Sequence, residues 1–385
     1  TNDTSFLNTG ALTLGDGGDT LTFVGGVDAL AGNAISVGGT VNTTDTAMDF
    51  GDITLTAAST FDTNNAAAGT MVIGAVTTGG NQLTLDSGST AGATMDIGAI
   101  DDATGGVIIR DAGGLATIAS VGGGAGTLQV VDSQAGVTFT GVVNVGTVDL
   151  DATTGTIEFS DNLTATTLTT TGDGFNVSML GGTTTITDVV DFANTGFVTF
   201  GDGGDTLTFT NGLTRSGNGL VNIGGTVQST NSDIHFGTGA ATLTSTSEVD
   251  SSGGNITFGG IVDGAGEDLT LDAGAAGNIV FTGAVGGGGR LGVITIENAN
   301  DVTSGAAATI TAESLAQTTG QGTTTLGAAV NTDQLAGVNI VTDTIVVNAG
   351  ITTTNAGAVT LNANDGGGAA LGTLTIAAAG NVNAT

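Results

Sequence analysis

The chain repeats itself on two scales, and a fold that cannot stack on itself is excluded before any single residue is considered. Sliding the sequence along itself until Gly15 meets Gly201 lays Gly15-Asp16-Gly17-Gly18-Asp19-Thr20-Leu21-Thr22-Phe23 on Gly201 through Phe209 without a mismatch. The same offset lays Gly38-Gly39-Thr40-Val41 on Gly224-Gly225-Thr226-Val227 and Phe50-Gly51 on Phe236-Gly237. With small slips, Leu83-Thr84-Leu85-Asp86 falls on Leu269-Thr270-Leu271-Asp272, and the match then fades. Two tandem units, 1–186 and 187–385, are therefore expected.

Inside each unit runs a finer motif: an apolar residue, Thr, a second apolar residue, then Gly, Asp, Asn or Thr. Leu12-Thr13-Leu14, Leu21-Thr22-Phe23, Ile53-Thr54-Leu55, Val137-Thr138-Phe139, Ile256-Thr257-Phe258 and Val359-Thr360-Leu361 are examples. Alternation of this kind is the period-two signal of a short strand with one face buried. Gly-Gly, Asn-Gly and Asp-Gly pairs separate the strands and supply the positive φ angles of tight turns. Nowhere do apolar residues keep a helical period over three turns, so almost no helix is expected. Strand positions such as Phe209, Phe236, Phe258 and Phe281 recur at intervals of roughly 20 to 27 residues, within the range of solenoid repeats. That is the length of one coil of an all-β parallel β-helix, a β-solenoid. At ~4.8 Å per coil, about 17 coils would extend ~80 Å.

Composition agrees with this architecture. The chain has no Pro, Cys, Trp or Tyr. Pro cannot donate to a ladder paired on both sides, and a narrow interior suits Val, Ile, Leu, Ala and some Phe better than Trp or Tyr. A β-sandwich would not predict the missing bulky residues. Hydrophobic content of 39% with only 10% charged residues argues against disorder. No run reaches the ~18 apolar residues of a membrane span, so no membrane insertion is expected, and residues 1 to 20 lack a secretory signal pattern.

The segments Gly322-Thr323-Thr324-Thr325-Leu326-Gly327-Ala328-Ala329-Val330-Asn331-Thr332, Val341 through Thr354 and Ala358-Val359-Thr360-Leu361-Asn362-Ala363 resemble the repeats of filamentous-haemagglutinin-like giant bacterial surface proteins. The resemblance is one of style and covers essentially the whole chain. It implies a right-handed parallel β-helix outside the cell, in an adhesin, surface layer or filament. The family's N-terminal secretion domain is not in this sequence.

Charge decides which partners are compatible. Three Arg and one His face 36 acidic residues, giving a net charge of −33. Such a chain repels nucleic acid and anionic membranes. Spread over ~80 Å this is about one charge per 2.5 Å, a density that should collect counterions and let divalent cations bridge neighbouring molecules through Asp oxygens. The run Gly15 to Leu21, repeated at Gly201 to Leu207, partly resembles the calcium nonapeptide Gly-Gly-x-Gly-x-Asp-x-Leu of the RTX toxins. That resemblance makes Asp16, Asp19, Asp202 and Asp205 candidate Ca²⁺ ligands. It departs at the first position, Leu14 or Phe200, and is not repeated in tandem, so a plain Gly/Asp turn explains the same residues.

Other candidate sites are thinner. His235 has Asp233 as its nearest acidic neighbour and reads as a solvent-facing residue. Arg110, Arg215 and Arg290 have no counterparts in the other unit, and Arg110 beside Asp111 suggests a weak surface pair. Asp101-Asp102 and Asp149/Asp151 could in principle serve a glycosidase. A lyase base and sugar-stacking Trp or Tyr are missing, so no enzyme is expected, and no cofactor is required, with Ca²⁺ the one candidate ion. Outward pairs Thr20/Thr22, Thr54/Thr56, Thr206/Thr208, Thr242/Thr244 and Thr373/Thr375 suggest the flat ranks of ice-binding solenoids, against the plainer reading that Thr suits an exposed strand. Sequons stand at Asn2, Asn42, Asn162, Asn176, Asn255 and Asn383.

No polar cap, helix or Pro-rich stop is visible at Thr1 or Thr385, so the expectation is a slice of a longer solenoid or copies stacked head to tail. The function expected is an extracellular structural protein that polymerises with itself into a cell-surface filament, sheath or matrix fibre. The alternatives are a stalk or passenger segment of an adhesin that binds glycans or other surface polymers, and an ice-binding solenoid.

Overall fold

In the computed structural model, residues 3–30, 34–64, 69–151, 154–364 and 372–385 are described. The sequon at Asn2 lies outside them. Among the described residues the chain is all-β, with 42 strands and one 3₁₀ turn at Ala103–Gly105. The strands pair in parallel and stack as a β-solenoid of about 17 turns. Two compact units are present, Thr1–Ile186 with Ala193–Gly196 and Thr187–Phe192 with Phe197–Thr385.

Each coil carries three strand segments. In the second unit one coil contains Ile234–His235, Ala241–Leu243 and Ser247–Asp250, and the next contains Ile256–Phe258, Val262–Asp263 and Leu269–Asp272. Residue pairs one coil apart keep strict register: Ile234 lies beside Ile256, Ala241 beside Val262, and Val249 beside Leu271. The first unit does the same, with Leu83 beside Val107 and Val107 beside Leu128. Coil length is less even than the sequence spacing suggests. A short coil separates Ile35 from its partner Ile53, and a long one separates Ile351 from its partner Val382. Both fall outside the expected interval, because turn length can vary freely once the strands are in register.

Alternation puts the apolar positions inward. Ile256, Phe258, Ile279 and Phe281 are buried while Thr257 and Val280 between them are half-buried on the outer face. Inward positions of successive coils sit on top of one another, so like residues stack. Phe236 lies on Phe258 with ring centroids 4.8 Å apart, and Phe258 on Phe281 at 5.5 Å, both with nearly parallel rings. Phe209, which shares their spacing in the sequence, belongs to another column and meets Phe200 edge-on at 5.6 Å. Such pairs add ~0.5–1.5 kcal/mol beyond the area they bury. Replacing the central ring, Phe258→Ala, is expected to lower unfolding free energy by about 3–5 kcal/mol in chemical denaturation. A loss under ~1 kcal/mol would mean that the stack is not rigidly packed.

Candidate functional site

The Gly/Asp run separates strands Leu12–Leu14 and Thr20–Phe23 in the first unit and forms a bulge within the continuous strand Val198–Phe209 in the second, with the same hydrogen bond in both. In the first, the Asp16 N–H donates to Asp19 Oδ2 at 3.1 Å; in the second, the Asp202 N–H donates to Asp205 Oδ2 at 2.8 Å. Gly15 and Gly201 have φ of 72° and 74°, and a Cβ on either would collide with the carbonyl of Gly38 or Gly224 in the next coil. The next tiers match too. Thr56 Oγ1 donates to the Val37 carbonyl and Thr244 Oγ1 to the Ile223 carbonyl, each at 3.2 Å. Ser59 and Ser247 reach the same two carbonyls. The glycines in this motif therefore serve close coil-to-coil approach, and Asp19 and Asp205 close the turn.

Asp16, Asp19 and Asp202 are exposed, whereas Asp205 is 8% exposed and its carboxyl is raised by burial, with the Asp202 N–H opposing and the Asp202 carboxylate adding to the rise. The structure thus brings Asp16 to Asp19 and Asp202 to Asp205. Among the described residues no group of three or more His, Asp or Glu side chains is placed to hold a metal ion.

Sequence reasoning missed what most corner carboxylates and amides do. Where the chain leaves a strand its N–H groups lose their ladder partners, and side-chain oxygens replace them. At one corner this becomes a continuous ladder. Asp233 Oδ1 accepts the Asn255 N–H at 2.7 Å, Asn255 Oδ1 the Asn278 N–H at 3.0 Å, Asn278 Oδ1 the Asp301 N–H at 3.0 Å, and Asp301 Oδ1 the Thr323 N–H at 2.7 Å. Asp52, Asp263 and Asp268 likewise accept from Ala75, Gly288 and Val293 one coil on. Asn278→Ala should cost about 1–2 kcal/mol in denaturant melts, since it orphans the Asp301 N–H, and Asn278→Asp should retain most of that stability.

A second corner stacks acids directly. One outward column of the first unit reads Thr22, Asn42, Asp62, Asp86, Asp111, and its counterpart in the second unit reads Thr208, Gln228, Asp250, Asp272, Asn298. Four of these five acids cap the turn that follows: Asp62 accepts the Asn64 N–H, Asp86 that of Gly88, Asp250 that of Ser252 and Asp272 that of Gly274. A bulge inserts Arg110 before Asp111 and Glu297 before Asn298. Arg110 pairs with Asp86 at 3.6 Å, one coil back, and not with the neighbouring Asp111 expected from sequence. The bulge moves Asp111 into register beside Asp86 and leaves Arg110 as the extra residue.

Burial raises the Asp111 carboxyl to about 6, with Asp132 and then Asp86 adding to the effect. Asp86 is raised by burial and Asp62, with Arg110 opposing, and Glu248 by burial and Asp250. An acid that holds its proton more tightly when folded releases it on unfolding. Its penalty is therefore absent below the ordinary carboxylate value near 4 and complete above about 6. Asp111→Asn should thus stabilise by on the order of 1–2 kcal/mol at pH 7.5. That gain should vanish by about pH 4 in calorimetric unfolding.

The remaining candidates disperse. His235 is half-buried between Thr214 and Thr257, and its Nδ1 accepts the Gly237 N–H at 3.1 Å. Asp233 is engaged in the ladder described above. Arg215 is 1% exposed, and its guanidinium donates to the Phe192 carbonyl at 2.9 Å. Burial lowers its pKa to about 10, with Asp191 opposing. No sequence signal marks Arg215 as internal. Arg290 pairs with Asp333 at 3.3 Å and also reaches the Ala312 carbonyl.

Asp149 and Asp151 both accept from Gln129 Nε2, at 3.1 and 2.8 Å, and Asp102 sits in the left-handed region with φ 56° just before the 3₁₀ turn. The Thr-x-Thr pairs fall on different faces. Thr20/Thr22 is followed by Thr40/Asn42, Thr206/Thr208 by Thr226/Gln228, Thr242 by Asp263, and Thr373/Thr375 is preceded by Thr344/Val346. None of these four continues into the neighbouring coil as a second pair.

Compared with known protein families, curated proteins and solved structures, the chain matches none. Among the described residues no helix is long and apolar enough to cross a membrane.

Proposed function

We propose that the protein is an extracellular structural element whose coils extend into a cell-surface filament, sheath or matrix fibre. The observation that supports this reading most is the use of its polar groups. Corner carboxylates, amides and hydroxyls bond one coil to the next, so the chemistry of the chain is directed at stacking. Among the described residues, strands Thr373–Ile376 and Val382–Ala384 pair on one side, with Thr344–Val347 and Ile351–Thr353. They expose Leu374, Ile376 and Val382 by 43 to 47%. A further coil laid on this edge would cover those side chains and complete the ladder. The partner is a second copy, stacked head to tail so that its strands enter in parallel. Divalent cations, Ca²⁺ first among them, neutralise the outward carboxylates, including Asp16, Asp19 and Asp202, as molecules approach.

The second reading, an adhesin stalk or passenger segment, has the same edge continued by more of one chain. Electron microscopy and light scattering at rising concentration, with and without Ca²⁺, separate the two. Linear assemblies are expected, and Leu374→Lys with Val382→Lys should disperse them. Particles that stay monodisperse at every concentration with Ca²⁺ present would sink the polymer reading.

A further inference from the structure

A groove of about 250 Å³ opens on the outer surface of the first unit. It crosses three coils. Gln82 lies on one lip, Gly106 and Ile108 form the floor, Thr127 and Gln129 lie on the other lip, and Thr104 of the 3₁₀ turn overhangs it. Gln82, Thr104 and Thr127 are exposed, while Ile108 and Gln129 are half-buried.

Glycine is required on the floor of the groove. Gly106 has φ 93°, and any side chain there would meet the Thr127 carbonyl at 3.2 Å. The second unit shows what fills the position otherwise. Leu83 pairs with Val107 and its repeat equivalent Leu269 pairs with Ile294, so Gly106 corresponds to Val293. The groove therefore has a floor residue that the repeat does not share.

Its lining selects a ligand class. Amides and hydroxyls on both lips offer donors and acceptors side by side, which suits a polyhydroxylated molecule, and Ile108 supplies an apolar floor for its C–H face. The volume lies just below the ~300 Å³ at which drug-sized pockets begin, enough for one sugar ring and part of a neighbour. Charge refines the choice. Gln129 Nε2 holds Asp149 Oδ2 and Asp151 Oδ2, which places two carboxylates behind the lip and leaves Gln129 Oε1 for the ligand. The nearest basic residue along the strand, Arg110, is drawn to Asp86. A ligand amine would gain charge-assisted hydrogen bonds here, within a chain of net charge −33.

We propose that this groove binds an amino-sugar unit of a cationic polysaccharide. The site goes beyond the structural role above and stands whether or not the coils polymerise. The full chain is titrated by calorimetry at about 0.15 M salt with a glucosamine trimer, its N-acetylated form, maltotriose and spermidine. Saturable binding of the glucosamine trimer is expected, weakened at least about tenfold by N-acetylation. Thr127→Arg on one lip and Gln82→Arg on the other should each produce a similar loss with unchanged circular dichroism. Thr303→Arg, which adds the same charge to the second unit, should bind like the parent. The proposal is overturned if both lip variants bind like the parent, if Thr303→Arg loses as much affinity as they do, or if maltotriose or spermidine binds as tightly as the glucosamine trimer.

Discussion

Every coil of a parallel solenoid must leave the ladder three times, and each departure strips backbone N–H groups of their partners. An unpaired buried N–H costs ~1–3 kcal/mol, so a fold made of about 17 such coils survives only if the corners are satisfied systematically. Short side chains with acceptor oxygens do this best, because they reach back or across one coil without losing much rotamer freedom. The run Asp233, Asn255, Asn278, Asp301 shows the device in its purest form, each oxygen taking the N–H one coil on. The hydroxyls of Thr56, Ser59, Thr244 and Ser247 perform the complementary task for carbonyls.

The acidity of the chain follows from this requirement. Asp is an acceptor of the right length, and where the same corner recurs in successive coils the carboxylates line up at the strand spacing of ~4.8 Å. Asp62, Asp86 and Asp111 are such a line, and the carboxyls of Asp86 and Asp111 are raised first by burial in the corner and then by their acidic neighbours. The net charge of −33 is thus first a consequence of corner chemistry. Its effect on partners, repelling polyanions and attracting cations, comes second.

Stacking also explains why departures from the repeat stand out. The shared turns at Gly15 to Asp19 and Gly201 to Asp205 have the same hydrogen bond and the same close glycine contact, which marks them as construction. Gly106, whose place Val293 takes in the other unit, is a residue of the groove that the repeat does not share. Gln82 and Thr127 on the lips of that groove are exposed, and the proposed saccharide site rests on this.

The alternation of apolar residues with Thr, the Gly punctuation and the missing Pro determined the fold class from sequence alone, because a period of two and a recurring coil length admit few other architectures. The pairing of units such as Leu83 to Asp86 with Leu269 to Asp272 was legible for the same reason. What the sequence could not decide was side-chain company. Whether Arg110 meets Asp111 or Asp86 depends on a one-residue bulge, and whether Phe209 joins the stack of Phe236, Phe258 and Phe281 depends on which of three faces it occupies. The burial of Arg215 and the ladder from Asp233 to Thr323 depend on contacts between residues a full coil apart in the chain. Coil length itself varies, from the short step between Ile35 and Ile53 to the long one between Ile351 and Val382. Sequence spacing alone therefore does not say which residues lie one above another; only the stacked structure sets that register.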